Sequence, residues 1–333
     1  MKRPLNAVLL TTALLAGALP LFGASSLLTP AGVRYAIVSD PDVSQVQIAR
    51  AEGEARATLV APSTQDAAPE SQAQLAYDAA TDTLYAAWVR EVEGNAEIRF
   101  ASLNSVGQWS TPRMVAAGSA SYRNLQFVIS HAMDDVATTT LVHLAWWSND
   151  GALREPDYAM FAYEQGDLVS AQVANLNDMA GLNNSVQTTA YEINVGQPPL
   201  AMARAADGVD IAFGALDSTT LTRLNVTPRK VIGDVRIWKP LGRNATRTPR
   251  SGLTLAEGAG VQGIIVEGRL ALYSVSDDFR FVVLRSDGTW SEMHSVRVDD
   301  DNTGEDLVRD LRHTVQELLA EEAAAEPAAA AEK

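Results

Sequence analysis

Apolar residues in this chain come in short bursts separated by polar turns. Leu84-Tyr-Ala-Ala-Trp88, Val142-His-Leu-Ala-Trp146, Val209-Asp-Ile-Ala-Phe213 and Arg269-Leu-Ala-Leu-Tyr273 each form a short apolar strand ending in an aromatic ring. A polar loop and a second strand follow each of them, as expected for hairpins. The aromatic ends stand at 88, 146, 213 and 273, which is 58, 67 and 60 residues apart. A unit recurring at this length, with several strands in each copy, is the pattern of a β-propeller blade.

Within the first clear unit the predicted strands are Gln74–Tyr77, Leu84–Val89, Ile98–Leu103 and Trp109–Val115. The second unit spans Leu125–Ala174, the third runs from Leu200 to about Pro240, and the fourth spans Val261–Val298. Three further strands, Val33–Ser39, Val46–Arg50 and Arg56–Ala61, predict a smaller first blade. A polar connection covers Pro62–Gln74, and an Asn- and Gln-rich insertion covers Leu176–Gln197. Loops of that length are more often functional than idle.

After Asp299-Asp-Asp-Asn302 the period changes. Thr303 caps a helix with Asp306 three positions on, and Leu307, Leu311, Val315, Leu318 and Leu319 share one helical face. The pattern therefore predicts an all-β propeller of about five blades over residues 33–298, four clear repeats plus an N-terminal partial blade. A C-terminal α-helix follows over 303–322, packed against it, and then a disordered Ala/Glu/Pro tail over 323–333.

The hairpins between third and fourth strands carry a recurring turn. It reads Ser102-Leu-Asn-Ser-Val-Gly-Gln-Trp109-Ser, then Tyr163-Glu-Gln-Gly-Asp-Leu168, then Leu284-Arg-Ser-Asp-Gly-Thr-Trp290-Ser. Glycine permits the turn, and the following Trp or Leu plugs the gap to the neighbouring blade. This run resembles the Asp-box, or bacterial neuraminidase repeat, of sialidase-like propellers, in a degenerate form with Asn104 at the Asp position and Gln108 at the Thr position. The resemblance implies the fold. In that family the box is structural, and sialidase activity would further need an arginine triad, a Tyr nucleophile with its Glu, and an acid Asp. The family's Phe/Tyr-Arg-Ile-Pro start is missing; Val33-Arg34-Tyr-Ala-Ile37 stands there instead, and Arg34, Arg90 and Arg250 fall in no matching motif.

Charge and composition narrow the function. The net charge of −15 opposes binding to a phosphate backbone, so nucleic acid is not an expected partner. Lys2 and Arg3, the apolar run Ala7–Phe22 and the small residues Gly23–Ser26 form a secretory signal over residues 1–25. No later stretch is long and apolar enough to span a membrane. The chain has no cysteine, so neither disulfides nor thiolate metal sites are expected; this fits a bacterial periplasmic or secreted protein. The four histidines form no zinc motif, and Asp299–Gly304 matches a calcium loop only in part, with Asp306 where an apolar residue belongs. No metal or cofactor is expected.

Binding faces of propellers are built from the loops joining second to third strands and from the connections between blades. The first kind places Arg90, Glu91, Asp150, Arg154, Glu155, Asp277 and Asp278 as candidate ligand contacts. Strand alternation sends Trp146 and Trp147 to opposite faces, and Trp147, which leads into the polar loop, is the candidate stacking platform. The reading is an exported, non-catalytic propeller presenting this face to a glycan, a peptide or an envelope protein. The competing class is a sialidase-like glycoside hydrolase or lyase. Export carries a direct prediction: the mature N-terminus lies between Ser25 and Leu27, and intact-mass measurement of the exported protein showing Met1 retained would refute it.

Overall fold

The computed structural model describes residues 26–38, 44–53, 55–62, 68–133, 138–150, 153–164, 167–182, 200–205, 207–214, 220–231, 237–249, 262–266, 269–275, 278–285, 289–298 and 304–331. The signal segment, Asp299–Thr303 and most of the Asn/Gln-rich insertion lie outside them. The described strands make five sheets of four. Sheet 1 holds β1 (Ser26–Leu28), β2 (Val33–Val38), β3 (Gln47–Glu52) and β4 (Thr58–Leu59). Sheet 2 holds β5 (Glu70–Asp78), β6 (Thr83–Val92), β7 (Asn95–Leu103) and β8 (Arg113–Ser119). Sheet 3 holds β9 (Ser121–Met133), β10 (Thr138–Asp150), β11 (Leu153–Glu164) and β12 (Asp167–Asn175). Sheet 4 holds β13 (Leu200–Ala205), β14 (Gly208–Gly214), β15 (Thr220–Val231) and β16 (Ile237–Pro249). Sheet 5 holds β17 (Gln262–Val266), β18 (Arg269–Val275), β19 (Asp278–Val283) and β20 (His294–Arg297).

Each sheet is an antiparallel meander in chain order. The first strands lie side by side: β1 touches β5, β5 touches β9, β9 touches β13 and β13 touches β17. The predicted aromatic-ended strands are β6, β10, β14 and β18, the second strands of sheets 2 to 5. They are apolar because both their faces are covered. Every residue of β6 from Thr83 to Arg90 is buried.

Alternation sorts the side chains between neighbouring seams. Trp88, Leu84 and Ala86 face sheet 1, where they meet Leu27, Val46 and Ile48. Tyr85, Ala87 and Val89 face sheet 3, where they meet Phe127, Val142, Leu144 and Trp146. On the far side of sheet 3, Leu141, Trp147, Tyr158 and Met160 pack on Met202, Ile211, Phe213 and Leu224 of sheet 4. At ~25 cal/mol per Å² of apolar area, these continuous seams are the main source of stability.

Four features differ from the sequence pattern. Sheet 1 is a full four-stranded sheet, because Ser26–Leu28 pair with Arg34–Ala36; three residues are too few to show alternation. The strands of sheet 3 reach 13 residues, so turns expected near Ser148 shrink to the hairpin tip. A short helix, α1 (Leu176–Met179), follows β12 with Asn175 as its N-cap, and the C-terminal helix α2 runs through Ala331 rather than ending at 322. Ala and Glu, read there as a disordered tail, are strong helix formers. Leu307, Leu311 and Val315 of α2 pack on Ala271, Phe279, Phe281 and Val283 of sheet 5, as the spacing predicts.

The repeated hairpin behaves as a plug. The Asn104 side chain accepts from the Gln108 amide at 2.9 Å, taking the part of the turn carboxylate. Ser110 Oγ accepts from Ser102 N, and Ser291 Oγ from Val283 N, both at 3.0 Å. Between these pairs, Leu103 bridges Trp109 and Leu284 bridges Trp290. Trp109 donates its indole N–H to the Val60 carbonyl of the chain leaving β4 and packs on the seam between sheets 1 and 2. Trp290 packs on the seam between sheets 4 and 5. Both rings are half-buried, so replacing either by Ala should cost near the lower end of the ~3–5 kcal/mol typical of buried aromatics. Urea melts showing a loss below about 1 kcal/mol would mean that the rings hold nothing together.

Candidate functional site

One end of the seam between sheets 2 and 3 opens into a cleft of ≈330 Å³, lined by Pro69, Glu91, Glu93, Gly94, Ala120, Ser121 and Arg123. Three separate stretches build it: the approach to β5, the β6–β7 turn, and the β8-to-β9 connection. Glu93 and Gly94 both take positive φ, 51° and 82°, the geometry of a two-residue hairpin turn that matches strand twist. The Glu91 amide donates to the Pro69 carbonyl at 2.8 Å, fixing one wall. Glu91, Glu93 and Arg123 are all exposed, and none of the three is ion-paired among the described residues.

Of the residues singled out in the sequence, Glu91 lines this cleft. Asp150, Arg154 and Glu155 sit beside it, because Asn149 pairs with both Ser121 and Arg154 and Ser148 pairs with Glu155. Glu155 is exposed. Two expectations are corrected. Arg90 is a buried strand residue, 8% exposed, opposite Glu70 and 3.7 Å from Glu97. It closes a charge ladder across sheet 2 because the strand continues two residues past it. Trp147 is 3% exposed inside the seam with sheet 4, and Trp146 is 1% exposed in the seam with sheet 2. Alternation does part the two rings, but a sheet covered on both faces leaves neither for a ligand. Asp278 belongs to sheet 5 and pairs with Arg280 at 3.1 Å. Asp277 lies outside the described residues.

Glu93, in the same predicted loop as Glu91, lines the cleft too, while the sequence reading missed Pro69, Ser121 and Arg123. The last two stand in the first residues of β9, just past the short connection from β8, the second kind of junction expected at a binding face. The available signal was a polar break, Ser119-Ala-Ser-Tyr-Arg-Asn124, ahead of an apolar strand. Beneath the cleft, the first strands of sheets 2 and 3 bulge in the same way. In β5 the register skips from Ser71 to Gln74 opposite Trp88, and in β9 from Arg123 to Gln126 opposite Trp146. Gln72 and Asn124 sit in these bulges at φ 51° and 52°. Gln72 Nε2 donates to the Tyr122 carbonyl at 2.7 Å, and its Oε1 accepts from the Leu125 amide at 3.4 Å. Asn124 repeats the gesture toward sheet 4, donating to the Leu200 carbonyl at 3.2 Å.

At the opposite end of the same seam lies a polar lock. Asp78, 1% exposed, receives His131 Nε2 and Thr140 Oγ1 at 3.0 Å each and the Ala80 amide at 2.9 Å. Burial pushes its carboxyl up, but the hydrogen bonds from His131, Ala80 and Thr140 together hold it below the ordinary aspartate value. Inside sheet 3, His143 is enclosed between Ser130 Oγ at 2.7 Å and the Tyr158 hydroxyl at 2.6 Å. Burial drives it down to about 3, so it is neutral. Neither group reaches the cleft, and both are structural. Among the described residues no three His, Asp or Glu are grouped to hold a metal ion, and no helix is long and apolar enough to cross a membrane.

No family model matches the chain, and no curated protein matches it. Solved structures similar to it include the fucose-specific lectin from Aleuria aurantia, at 9% identity and a TM-score of 0.43, covering 81% of this chain and 76% of that one. Another is the same lectin described as a six-bladed β-propeller, at 10% identity and a TM-score of 0.42, covering 83% and 77%. A variant of it bound to α-methyl-L-fucoside aligns at 11% identity and 0.44, covering 82% and 77%.

The two buried groups predict acid sensitivity in separate windows. His143 has a folded value below its unfolded 6.5, so the unfolded chain takes up a proton first and stability falls as pH drops from 6.5 toward 3. Asp78 also has a depressed folded value; its contribution is complete above 3.8 and is lost as pH falls through the lower folded value. Asp78→Asn should therefore cost ~1.5–3 kcal/mol at pH 7, a deficit that narrows only below pH 3.8. His143→Gln should flatten the slope between 6.5 and 4 instead. Denaturant melts across pH with both variants parallel to wild type would exclude this assignment.

Proposed function

We propose that the five sheets are the blades of a β-propeller serving as an exported, non-catalytic binding protein, and that the cleft between sheets 2 and 3 takes a glycan or a peptide segment. The side-by-side first strands and the meander order of every sheet support the propeller. The observation that carries the binding role is the convergence of Glu91, Glu93, Ser121 and Arg123, from separate chain segments, on one concave site of ≈330 Å³. That volume is within the range of small-ligand sites. Charges that fold a protein are paired, as Arg90, Asp78 and Asp278 are here; the cleft charges are left to solvent.

The two lining carboxylates, Glu91 and Glu93, stand on the β6–β7 hairpin, and Asp150 and Glu155 lie beside the cleft on sheet 3. The test is a glycan array and a peptide library screened with wild type, Glu91→Ala and Arg123→Ala. Both exposed substitutions should leave stability within ~0.5 kcal/mol. Each should weaken the strongest array hit about tenfold, the value of one charge-assisted hydrogen bond of ~1.4 kcal/mol. A hit bound equally well by both variants would remove the cleft as the binding site.

A further inference from the structure

We propose that Gln72 is a positioning residue of the cleft: its carboxamide grips β9 on both sides of Arg123, where the β9 bulge begins, and so sets where the guanidinium stands opposite the Glu93 turn. The inference rests on the reading of the cleft as a binding site, but it concerns a residue that does not line the cleft.

The geometry is bidentate. One end of the amide holds the carbonyl of Tyr122, the residue before Arg123, and the other accepts from the amide of Leu125, two residues after it. Arg123 and Asn124 are thus bracketed by a single side chain from the neighbouring sheet. Tyr122 and Leu125 are buried, 3% and 1% exposed, while Arg123 between them is exposed. The bracket therefore fixes the base of a long, solvent-facing side chain whose own contacts do not fix it.

The identity of the residue matters. Left-handed φ is costly for most side chains and free for glycine. Asp82, Asn124 and Asn244, also at positive φ, are of the types that tolerate it, and Gln72 is not. A glycine would suit the backbone better. What glutamine adds is a side chain that both donates and accepts and is long enough to reach the next sheet.

The absence of cysteine makes the test direct. Spin labels at Glu93→Cys and Arg123→Cys report the span across the cleft by electron–electron distance measurement. A control pair at Ser105→Cys and Glu164→Cys reports the spread of the same two sheets near their third-to-fourth-strand hairpins. Gln72→Gly keeps the bulge conformation and removes the bracket. The expected result is a broadened distance distribution for the cleft pair, an unchanged one for the control pair, and exchange of the Leu125 amide about tenfold faster. An unchanged cleft distribution would overturn the proposal. So would equal broadening of both pairs, which would mean that Gln72 merely holds the seam shut. Because these readouts need no ligand, they stand apart from the array experiment. Loss of array binding in Arg123→Ala together with an unaltered span in Gln72→Gly would keep the binding site and remove the positioning role.

Discussion

Everything in this architecture depends on covering two faces of every sheet at once. A four-stranded meander has two apolar-capable faces, and stacking in series makes each sheet the wall of two seams. The second strands carry the greatest burden, since they are central in the sheet as well as enclosed on both sides. Hence β6 reads as a nearly unbroken apolar run instead of a clean alternation, and Trp88 and Tyr85 can both be fully buried while pointing opposite ways.

His143 is enclosed within sheet 3, but the polar ties between sheets 2 and 3 stand toward the rims of the seam. Gln72 spans the first strands on the cleft side, and Asp78 joins His131 and Thr140 at the other end. A third, Ser102 Oγ to the Tyr163 hydroxyl at 2.5 Å, lies near the hairpins. Buried polar contacts of this kind cost dearly when left unpaired and add little when replaced as a pair. They select one alignment of the sheets more than they add to stability. The cleft opens on the seam held in this way, so its two walls keep a defined separation.

The periodic part of the fold was legible. Aromatic-ended strands, the Gly107 turn and the α2 stripe each follow a local pattern, and the structure places them where that pattern puts them. The site was legible only in part. Glu91 could be found because it adjoins a turn, whereas Arg90, its neighbour, turned out to be a buried rung. A one-residue difference in where a strand ends decides between ladder and rim, and local sequence does not fix strand ends that well. Arg123 could not be found at all, because its position follows from a bulge opposite Trp146 and a tie from Gln72, 51 residues away. Bulges leave no mark on hydrophobic patterning.

The ends of the array show the same constraint from the other side. Sheets 2, 3 and 4 have a neighbouring sheet on each face, but in the described residues sheet 5 meets another sheet on one face, with Leu270, Leu272, Val282, Leu284 and Trp290 in the seam. Its opposite face, with Phe279 and Phe281, would be a large apolar patch without α2. A single amphipathic helix does there what a further sheet would do. Sheet 1 meets the problem differently. Leu27, Ile37 and Ile48 face sheet 2, while the alternating positions Leu28, Ala36, Val38, Ala49 and Ala51, with Arg34 and Gln47 among them, make a mixed outward face without aromatic rings. The chain thus uses a helix where the outer face of the last sheet is aromatic, and a mixed face of small, aliphatic and polar side chains on the first. A Phe pair left to water would form an apolar patch, and the helix removes it.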